Sequence, residues 1–205
     1  MIHSVLLVAG IVLAIIWWQA VIETAVGMRR TPLLTSPLWD KHPQPEPRVS
    51  ILVPARNEEE KVEQALASLM KLDYADYEVI AVNDRSTDAT GAIMDRVASG
   101  SGGKLKVLHV TGLPPNWLGK PHALAQAAGM ASGEWLLLTD ADVVFRSDAL
   151  RRAMAYVEAA RPDHVFMVPT MEMKSAGEAM MHSQFMTMSI FIRPWRANDP
   201  RSRVY

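Results

Sequence analysis

From Val49 onward, short apolar runs alternate with stretches in which apolar residues recur at helical spacing. This alternation predicts an α/β fold: a mainly parallel sheet with helices on both of its faces. The predicted strands are, in chain order, "VSILVP" (Val49–Pro54), "YEVIAVND" (Tyr77–Asp84), "LKVLHV" (Leu105–Val110), "EWLLLTDAD" and "HVFMVP". The first helix is predicted to be capped by Asn57, with Glu60 completing a capping box. The second, in "STDATGAIMDRVA", is predicted to be capped from its Ser/Thr/Asp cluster.

Polar residues follow three of the predicted strands at the points where the strands end. The first strand runs into Pro54-Ala55-Arg56-Asn57-Glu58, the second ends at Asn83-Asp84-Arg85, and the fourth ends at Asp140-Ala141-Asp142. In open α/β sheets, ligands bind at the carboxyl ends of the strands. Each of these three ends carries a carboxylate, so this edge of the sheet is the predicted ligand site.

The pattern of glycines excludes two common nucleotide sites. No G-x-G-x-x-G follows the first strand, and "SGSGGKL" lacks the first glycine and the final Ser/Thr of a Walker loop. The adjacent carboxylates Asp140 and Asp142 instead suggest Mg²⁺ or Mn²⁺ bridging the protein to phosphates, because a cation removes their mutual repulsion. The alternative is a polar turn without a ligand.

The N-terminus is a separate region. It carries no charged side chain from Met1 to Ile22, and its apolar run reaches Val26 before Arg29 and Arg30. This length predicts a membrane anchor, and the basic pair predicts that the following domain faces the cytoplasm. A cleaved signal peptide and a buried core helix are the alternatives. The predicted organisation is an anchor over 1–28, a proline-rich extended linker over 29–48, an α/β ligand-binding domain over 49–172 and a Met-rich segment over 173–205.

Composition narrows the function further. The chain has 205 residues, a formal net charge of −1 and no cysteine. Near-neutral charge argues against a nucleic-acid partner, and the absence of cysteine excludes disulfides, thiolate metal sites and a cysteine nucleophile.

Three segments, "VSILVPARNEE", "YEVIAVNDRSTDAT" and "GKPHALAQAAGMASGEWLLLTDADV", together resemble the family 2 glycosyltransferases, whose fold is the Rossmann-like GT-A fold. The resemblance covers roughly Val49 to Pro169 and rests on several elements in the same order. "LPPNWLGKPHAL" and the N-terminal apolar segment look most like the membrane-bound, lipid-directed branch, with its hopanoid- and carotenoid-associated and ceramide-glucosyltransferase-like enzymes.

The resemblance implies transfer of a sugar from a nucleoside diphosphate sugar, with a UDP-sugar favoured, to a hydroxyl of a lipid or polyisoprenoid acceptor. It implies that Asp142 is the main metal ligand and that Asp140 lies near metal and ribose. The implied donor-binding residues are Pro54, Ala55, Arg56, Asn57, Glu58, Asp84, Lys120, Asp140 and Ala141. Asp84 could instead only cap a helix, Arg56 could be a solvated charge in a loop, and Lys120 could be an exposed charge at the start of a helix. His122 is read as an ordinary helical residue.

No family-like general base is found in the sequence, and Asp199 is a weak candidate. The chain is therefore expected to be the N-terminal part of a longer glycosyltransferase. It should bind a sugar nucleotide with a divalent cation but transfer sugar poorly. A noncatalytic membrane-tethered binding module and a nucleotidyltransferase are the alternatives. The Met-rich segment from Ala176 to Arg196 is predicted to pack in a core or to lie on the membrane surface.

Overall fold

A computed structural model describes residues 2–192 of the chain. The chain forms two compact units. One consists of the N-terminal helix, as far as Leu33, and of the chain from Val168 onward; the other is Leu34–Met167. The first four predicted strands and the predicted site belong to the second unit.

Ten helices and strands are found within the described residues. The helices are α1 (Ile2–Arg30), α2 (Val62–Leu69), α3 (Thr90–Ser99), α4 (Gly119–Ala128), α5 (Ala149–Ala160) and α6 (Ala176–Ile192). The strands are β1 (Val49–Ala55), β2 (Tyr77–Asp84), β3 (Leu105–Val110) and β4 (Trp135–Leu138). A short 3₁₀ helix, Pro37–Trp39, precedes β1.

The four strands form one parallel sheet in the order β3-β2-β1-β4. The chain builds the sheet outward from β1 through β2 to β3, and then returns to add β4 on the other side of β1. The strand order therefore reverses between β1 and β4. Ligands of open α/β sheets bind in the crevice at the carboxyl ends of the strands at such a switch point. This topology predicts a ligand site beside Ala55 and Leu138, the last residues of β1 and β4.

The two faces of the sheet are covered by different helices, as predicted. On one face the core includes Val62 and Leu66 of α2, Met94 of α3 and Met154 of α5. On the other face Ala123 and Ala127 of α4 pack against Leu52, Ile80 and Val82. Strands β1 and β2 are buried on both faces, which is why their sequences read as continuous apolar runs.

The last two predicted strands differ from the structure. Strand β4 was expected to be long and buried, but it has four residues, and Leu136 and Leu138 are about half exposed. The described residues contain no strand over "HVFMVP"; residues 163–167 are irregular. Val165 and Met167 line a cavity of about 440 Å³ against β4 and α5 instead of pairing with the strand. An apolar segment can form a paired strand or line a cavity, so the apolar sequence of this segment could not predict whether it pairs with β4.

The segment before β1, predicted to be an extended linker, is held to α5 by several contacts. Asp40 forms ion pairs with Arg151 at 2.6 Å and with Arg152 at 2.8 Å. The rings of Trp39 and Tyr156 pack edge to face, with their centroids 5.2 Å apart. Residues 34–47 therefore belong to the same compact unit as the sheet.

The other unit contains the predicted anchor. Within the described residues, His3–Gly27 of α1 is the one helical stretch that is long and apolar enough to cross a membrane. Its 25 residues rise about 38 Å, against a hydrocarbon core of about 30 Å. Gln19, which interrupts the apolar run, donates a hydrogen bond to Glu23 one turn later at 3.1 Å. A signal sequence shares these properties, so the membrane anchor stays a proposal.

Candidate functional site

Two loops at the carboxyl edge of the sheet are joined by hydrogen bonds. The side chain of Asn57, after β1, accepts a hydrogen bond from the backbone N–H of Thr87, after β2, at 2.9 Å. The N–H of Glu58 donates to the buried hydroxyl of Thr90 at 2.8 Å, and Glu59 accepts from Ala89 N–H at 2.9 Å. These hydrogen bonds hold the loop after β1 against the loop after β2.

These bonds overturn the predicted capping of α2. Asn57 does not cap the helix, which begins five residues later at Val62 after Lys61. Asn57 has a positive φ of 56°, and its side-chain oxygen is already bonded to the loop after β2. At α3, the helix N-cap residue is Ala89, and Asp88 accepts the Thr90 N–H at 3.0 Å, so its Ser/Thr/Asp cluster does serve the helix start.

Asp84, at the end of β2, is almost completely buried and carries an ion pair. Nε and Nη2 of Arg85 donate to its two carboxylate oxygens at 2.8 and 2.9 Å. The hydrogen bonds from Arg85 lower the pKa of Asp84, and Arg56 and His122 lie near enough to lower it further. The structure thus places Asp84 and Arg56, two of the predicted donor-binding residues, in one electrostatic cluster.

The start of α4 packs directly on this ion pair. A Cβ atom added to Gly119 would lie 2.7 Å from Arg85 Nη2 and 2.7 Å from Asp84 Oδ2, which only glycine avoids. His122, three residues later, is buried, its Nδ1 has no hydrogen-bond partner in the described part of the chain, and its ring packs edge to face with that of Trp117 at 5.4 Å. The predicted first-turn residue is therefore part of the site wall.

The two acids after β4 lie on a turn. The N–H of Val143 donates to Asp140 O at 3.4 Å, so the backbone bends where an extended strand was expected. Ala141, between the two acids, is buried in the core, while the carboxylates of Asp140 and Asp142 remain about half exposed. The buried alanine anchors the turn and leaves both carboxylates at the surface.

A lysine lies beside each of these acids. The ammonium of Lys120 contacts Asp140, and that of Lys61 lies 3.5 Å from Asp142. Within residues 2–192, no three His, Cys, Asp or Glu side chains are close enough to hold a metal ion by themselves. Mg²⁺ and Mn²⁺ at nucleotide sites need only one or two carboxylates when phosphates complete the coordination. Two half-exposed carboxylates fit that requirement.

The predicted residues thus lie at the carboxyl edge of the sheet, although their contacts differ. The backbone and side chain of Asn57 and the N–H of Glu58 join the two loops, and Ala55, like Ala141, is buried in the core. Pro54 is partly buried near the end of β1. Four residues at this edge were not predicted from sequence as contributors: Lys61, Arg85, Gly119 and His122. Asp199, the weak base candidate, lies outside the described residues.

A parallel α/β sheet whose carboxyl edge gathers two carboxylates, a lysine and a buried ion pair is typical of proteins of the Rossmann-like fold class. The model of the family "Glycosyl transferase family 2" matches residues 50–204 of the chain. The chain belongs to this family, as its sequence predicts.

Individual relatives cover part of the chain. Beta-monoglucosyldiacylglycerol synthase of Synechocystis is 35% identical over 133 residues, which are 63% of this chain and 27% of that protein. Poly-beta-1,6-N-acetyl-D-glucosamine synthase of Staphylococcus epidermidis is 34% identical over 101 residues, 49% of this chain and 23% of that protein. The chain thus matches about a quarter of the length of these relatives.

A solved structure is similar in fold. The mannosyltransferase PcManGT from Pyrobaculum calidifontis, in complex with GDP-Man and Mn²⁺, matches with a TM-score of 0.54 and 28% sequence identity. The match covers 70% of this chain and 39% of that one. The GT-A fold predicted from the sequence is confirmed.

Proposed function

We propose that residues 49–172 form the donor-binding part of a metal-dependent glycosyltransferase. The enzyme transfers a sugar from a nucleoside diphosphate sugar to a hydroxyl acceptor. The observation that carries this proposal is the meeting of Lys120, Asp140, Asp142 and the Asp84–Arg85 pair at the switch point of a family 2 domain. Family membership favours sugar transfer over the nucleotidyltransferase alternative.

The chain's own groups divide the work of donor binding. The loop Pro54–Glu58, joined to the loop after β2, lines the nucleoside side of the crevice. Lys120 reaches the diphosphate, since its ammonium is at the carboxyl edge of the sheet and already beside a carboxylate. Mg²⁺ or Mn²⁺, held by Asp142 and Asp140, would stabilise negative charge on the departing diphosphate. The Mn²⁺ and GDP-Man in the similar mannosyltransferase structure support this assignment.

The acceptor is proposed to be a lipid or polyisoprenoid alcohol. The name of the Synechocystis relative, a glucosyldiacylglycerol synthase, supports a lipid, and the apolar helix α1 supports a location at a membrane. The name of the Staphylococcus relative points to a polysaccharide product, so acceptor class varies among proteins similar to this chain. The donor base is proposed to be uracil, on the resemblance to the lipid-directed branch.

The test is a thermal-shift and calorimetry panel on the full chain in detergent, with UDP-sugars and GDP-sugars, each with and without Mn²⁺. Metal-dependent stabilisation by a UDP-sugar is the expected result. A transfer assay with the radiolabelled donor and a membrane lipid extract then separates two outcomes. Transfer that Asp142→Asn abolishes supports an enzyme; binding without transfer is the result expected both of a noncatalytic module and of the N-terminal part of a longer glycosyltransferase. Failure of every sugar nucleotide to bind would overturn the proposal.

A further inference from the structure

A row of hydrogen bonds runs from α3 and the edge strand β3 to the loops of the proposed donor site. Nε2 of His109, on β3, lies 3.0 Å from Oδ1 of Asp95, on α3, and Nδ1 of the same ring lies 3.0 Å from Nδ2 of Asn83, near the end of β2. Oδ1 of Asn83 accepts the N–H of Ser86 at 3.3 Å, and the hydroxyl of Ser86 accepts the N–H of Asn57 at 3.1 Å. The row therefore connects the edge strand to the loops after β2 and β1.

The groups that can only donate fix the direction of the bonds in this row. The backbone N–H of Ser86 is a donor, so the oxygen of the Asn83 amide faces it and the NH₂ group faces His109. Because an amide NH₂ group does not accept hydrogen bonds, Nδ1 of the ring is the acceptor and carries no proton. The ring proton then lies on Nε2 and is donated to Asp95. The row therefore requires the neutral imidazole with its proton on Nε2.

Helix α3 packs directly on the contact between Asn83 and His109. A Cβ atom added to Gly91 of α3 would lie 2.5 Å from Asn83 Nδ2 and 3.4 Å from His109 Cε1. Gly91 is buried, so the amide has little free space on this side. The Asn83 amide is therefore held between α3 and the ring, and Nδ1 of the ring decides which end of the amide faces Ser86.

A second proton on the His109 ring would break this row. With a proton on Nδ1, the ring would present a donor to the NH₂ group of Asn83, which is also a donor. Turning the amide over would give the ring an acceptor, but it would then place the NH₂ group against the N–H of Ser86. Either arrangement leaves one donor without its acceptor, so the loop after β2 loses the bond that orders Ser86 and, through the Ser86 hydroxyl, its bond to Asn57.

The groups that face the His109 ring come from two elements. Strand β3 is at the edge of the sheet, and β2 and α3 pack against it. The carboxylate of Asp95 faces the ring from α3, and the uncharged amide of Asn83 faces it from β2. Among the described residues, no other acid or base forms an ion pair with the ring. Asp95 stabilises the protonated ring, whereas the Asn83 amide, as it is oriented, fits the neutral one.

We propose that His109 is a positioning residue for donor binding: the neutral ring orients Asn83 so that it holds the donor loops, and protonation of the ring releases them. The proposal rests on the proposed function, because it assumes that the loops after β1 and β2 bind the donor. Histidine is the side chain that ordinarily changes charge between about pH 5 and 8. Donor affinity should therefore fall as the pH decreases through this range.

Two substitutions of His109 separate the hydrogen bond from the volume of the ring. His109→Asn places an amide oxygen, which does not titrate, at the position of Nδ1; His109→Leu fills a similar volume without an acceptor. The probe is UDP-glucose with Mn²⁺, measured by calorimetry on the full chain in detergent. UDP-glucose has no terminal phosphate, which in UDP would itself take up a proton near about pH 6.

The two variants should differ both in affinity and in pH dependence. At about pH 8, His109→Asn should bind UDP-glucose within about twofold of wild type, and His109→Leu about fivefold more weakly, as expected for one net hydrogen bond. Between about pH 8 and 5.5, wild type should lose about fivefold more affinity than His109→Asn, in which the amide cannot be protonated. The comparison with His109→Asn removes the pH effects of every other group at the site.

Hydrogen exchange tests the positioning without a ligand. At one fixed pH near neutrality, the amides of Ser86 and Asn57 should exchange faster in His109→Leu than in wild type or His109→Asn. His42→Asn is the matched control, because His42 lies in the segment before β1, where it pairs with Glu46 and Asp73. This control should leave both the exchange rates and the pH profile of binding unchanged.

Two results would overturn the inference. One is equal affinity and equal exchange in His109→Leu and His109→Asn; the other is a pH dependence in His109→Asn as steep as that of wild type. Thermal melts identify a variant that is merely unfolded. Wild type that binds no sugar nucleotide would refute the proposed function, and hydrogen exchange at Ser86 and Asn57 would still decide whether His109 holds the loops.

Discussion

The ammonium of Lys61 lies 3.5 Å from Oδ2 of Asp142, and the ammonium of Lys120 contacts Asp140 in the same crevice. Two carboxylates separated by one residue would otherwise repel each other at the end of a strand. In the absence of a divalent cation, the chain's own cations reduce that repulsion. Both lysines are more than half exposed, so a metal ion and phosphates can displace them at modest cost.

Asp142→Asn is expected to abolish Mn²⁺-dependent binding of UDP while the fold survives. Asparagine keeps the size of the side chain but loses the charge that a hard cation requires. Calorimetry with and without Mn²⁺ measures the effect. Asp76→Asn is the control, because Asp76 is a half-exposed acid paired with Arg48 at 3.2 Å, at the start of β2. Unchanged Mn²⁺-dependent binding in Asp142→Asn would remove Asp142 from the metal site.

Lys61→Gln is expected to strengthen Mn²⁺ binding, because it removes a cation that competes for Asp142. The pair is exposed and 3.5 Å long, so its contribution is small and the gain should be at most about fivefold. The gain should shrink at high salt, since salt already weakens the competing ion pair. Weaker Mn²⁺ binding in Lys61→Gln would mean that the lysine supports the ligand instead of competing with the metal.

The sequence predicted most of the sheet and the acids of the site, but not the cations beside those acids. Strands β2 and β3 have the predicted bounds. For β2 the signal is direct, because the strand is an apolar run buried on both faces. The turn at Asp140–Val143 and the exposure of β4 depend on tertiary packing, which the local sequence does not show. Lys61 meets Asp142 across 81 residues of sequence, and only the folded topology creates such a pair. The positive φ of Arg85 likewise has no signature in a single sequence.

The N-terminal helix is expected to be an uncleaved anchor with the following domain in the cytoplasm. The reason is that Arg29 and Arg30 follow the apolar stretch and no Lys or Arg precedes it. In cells that express the full chain, protease added from outside should leave the domain intact and should digest it after permeabilisation. Digestion in intact cells, or a mature N-terminus near Val26, would contradict this topology.

Gly119→Ala is expected to weaken UDP binding without unfolding the domain. The new Cβ would lie 2.7 Å from both Arg85 Nη2 and Asp84 Oδ2, so the start of α4 must move away and carry Lys120 with it. A loss of about tenfold in affinity is expected, with a small drop in Tm. Gly129→Ala is the matched control at the other end of α4, where the nearest atoms to a new Cβ are 3.5 and 3.7 Å away. Equal effects of the two substitutions would show that close packing at Gly119 is unimportant for the site.

Glu78 is a buried carboxylate at the opposite end of the sheet from the site. It accepts hydrogen bonds from Ser50 at 2.8 Å, from Ser132 N–H at 2.9 Å and from the ammonium of Lys106 at 2.8 Å. These contacts join β1, β2 and β3 to the turn that leads into β4. Burial by itself raises the pKa of Glu78, but the hydrogen bonds outweigh burial and lower it from about 4.5 to about 2.

Because the pKa of Glu78 is lowered in the folded state, the stability lost in Glu78→Gln should depend on pH. The folded pKa lies below the unfolded one, so the ionised carboxylate stabilises the fold fully above about pH 5, and this stabilisation is lost as the pH falls from about 4.5 toward 2. The variant should lose stability on the order of 3 kcal/mol at pH 7, or roughly 5–10 °C in Tm, and the difference from wild type should narrow below pH 4.5. Glu63→Gln, which removes a half-exposed acid, should change Tm by less than about 2 °C at every pH. A difference for Glu78→Gln that stays constant from pH 7 to pH 3 would show that the charge of Glu78 does not stabilise the fold.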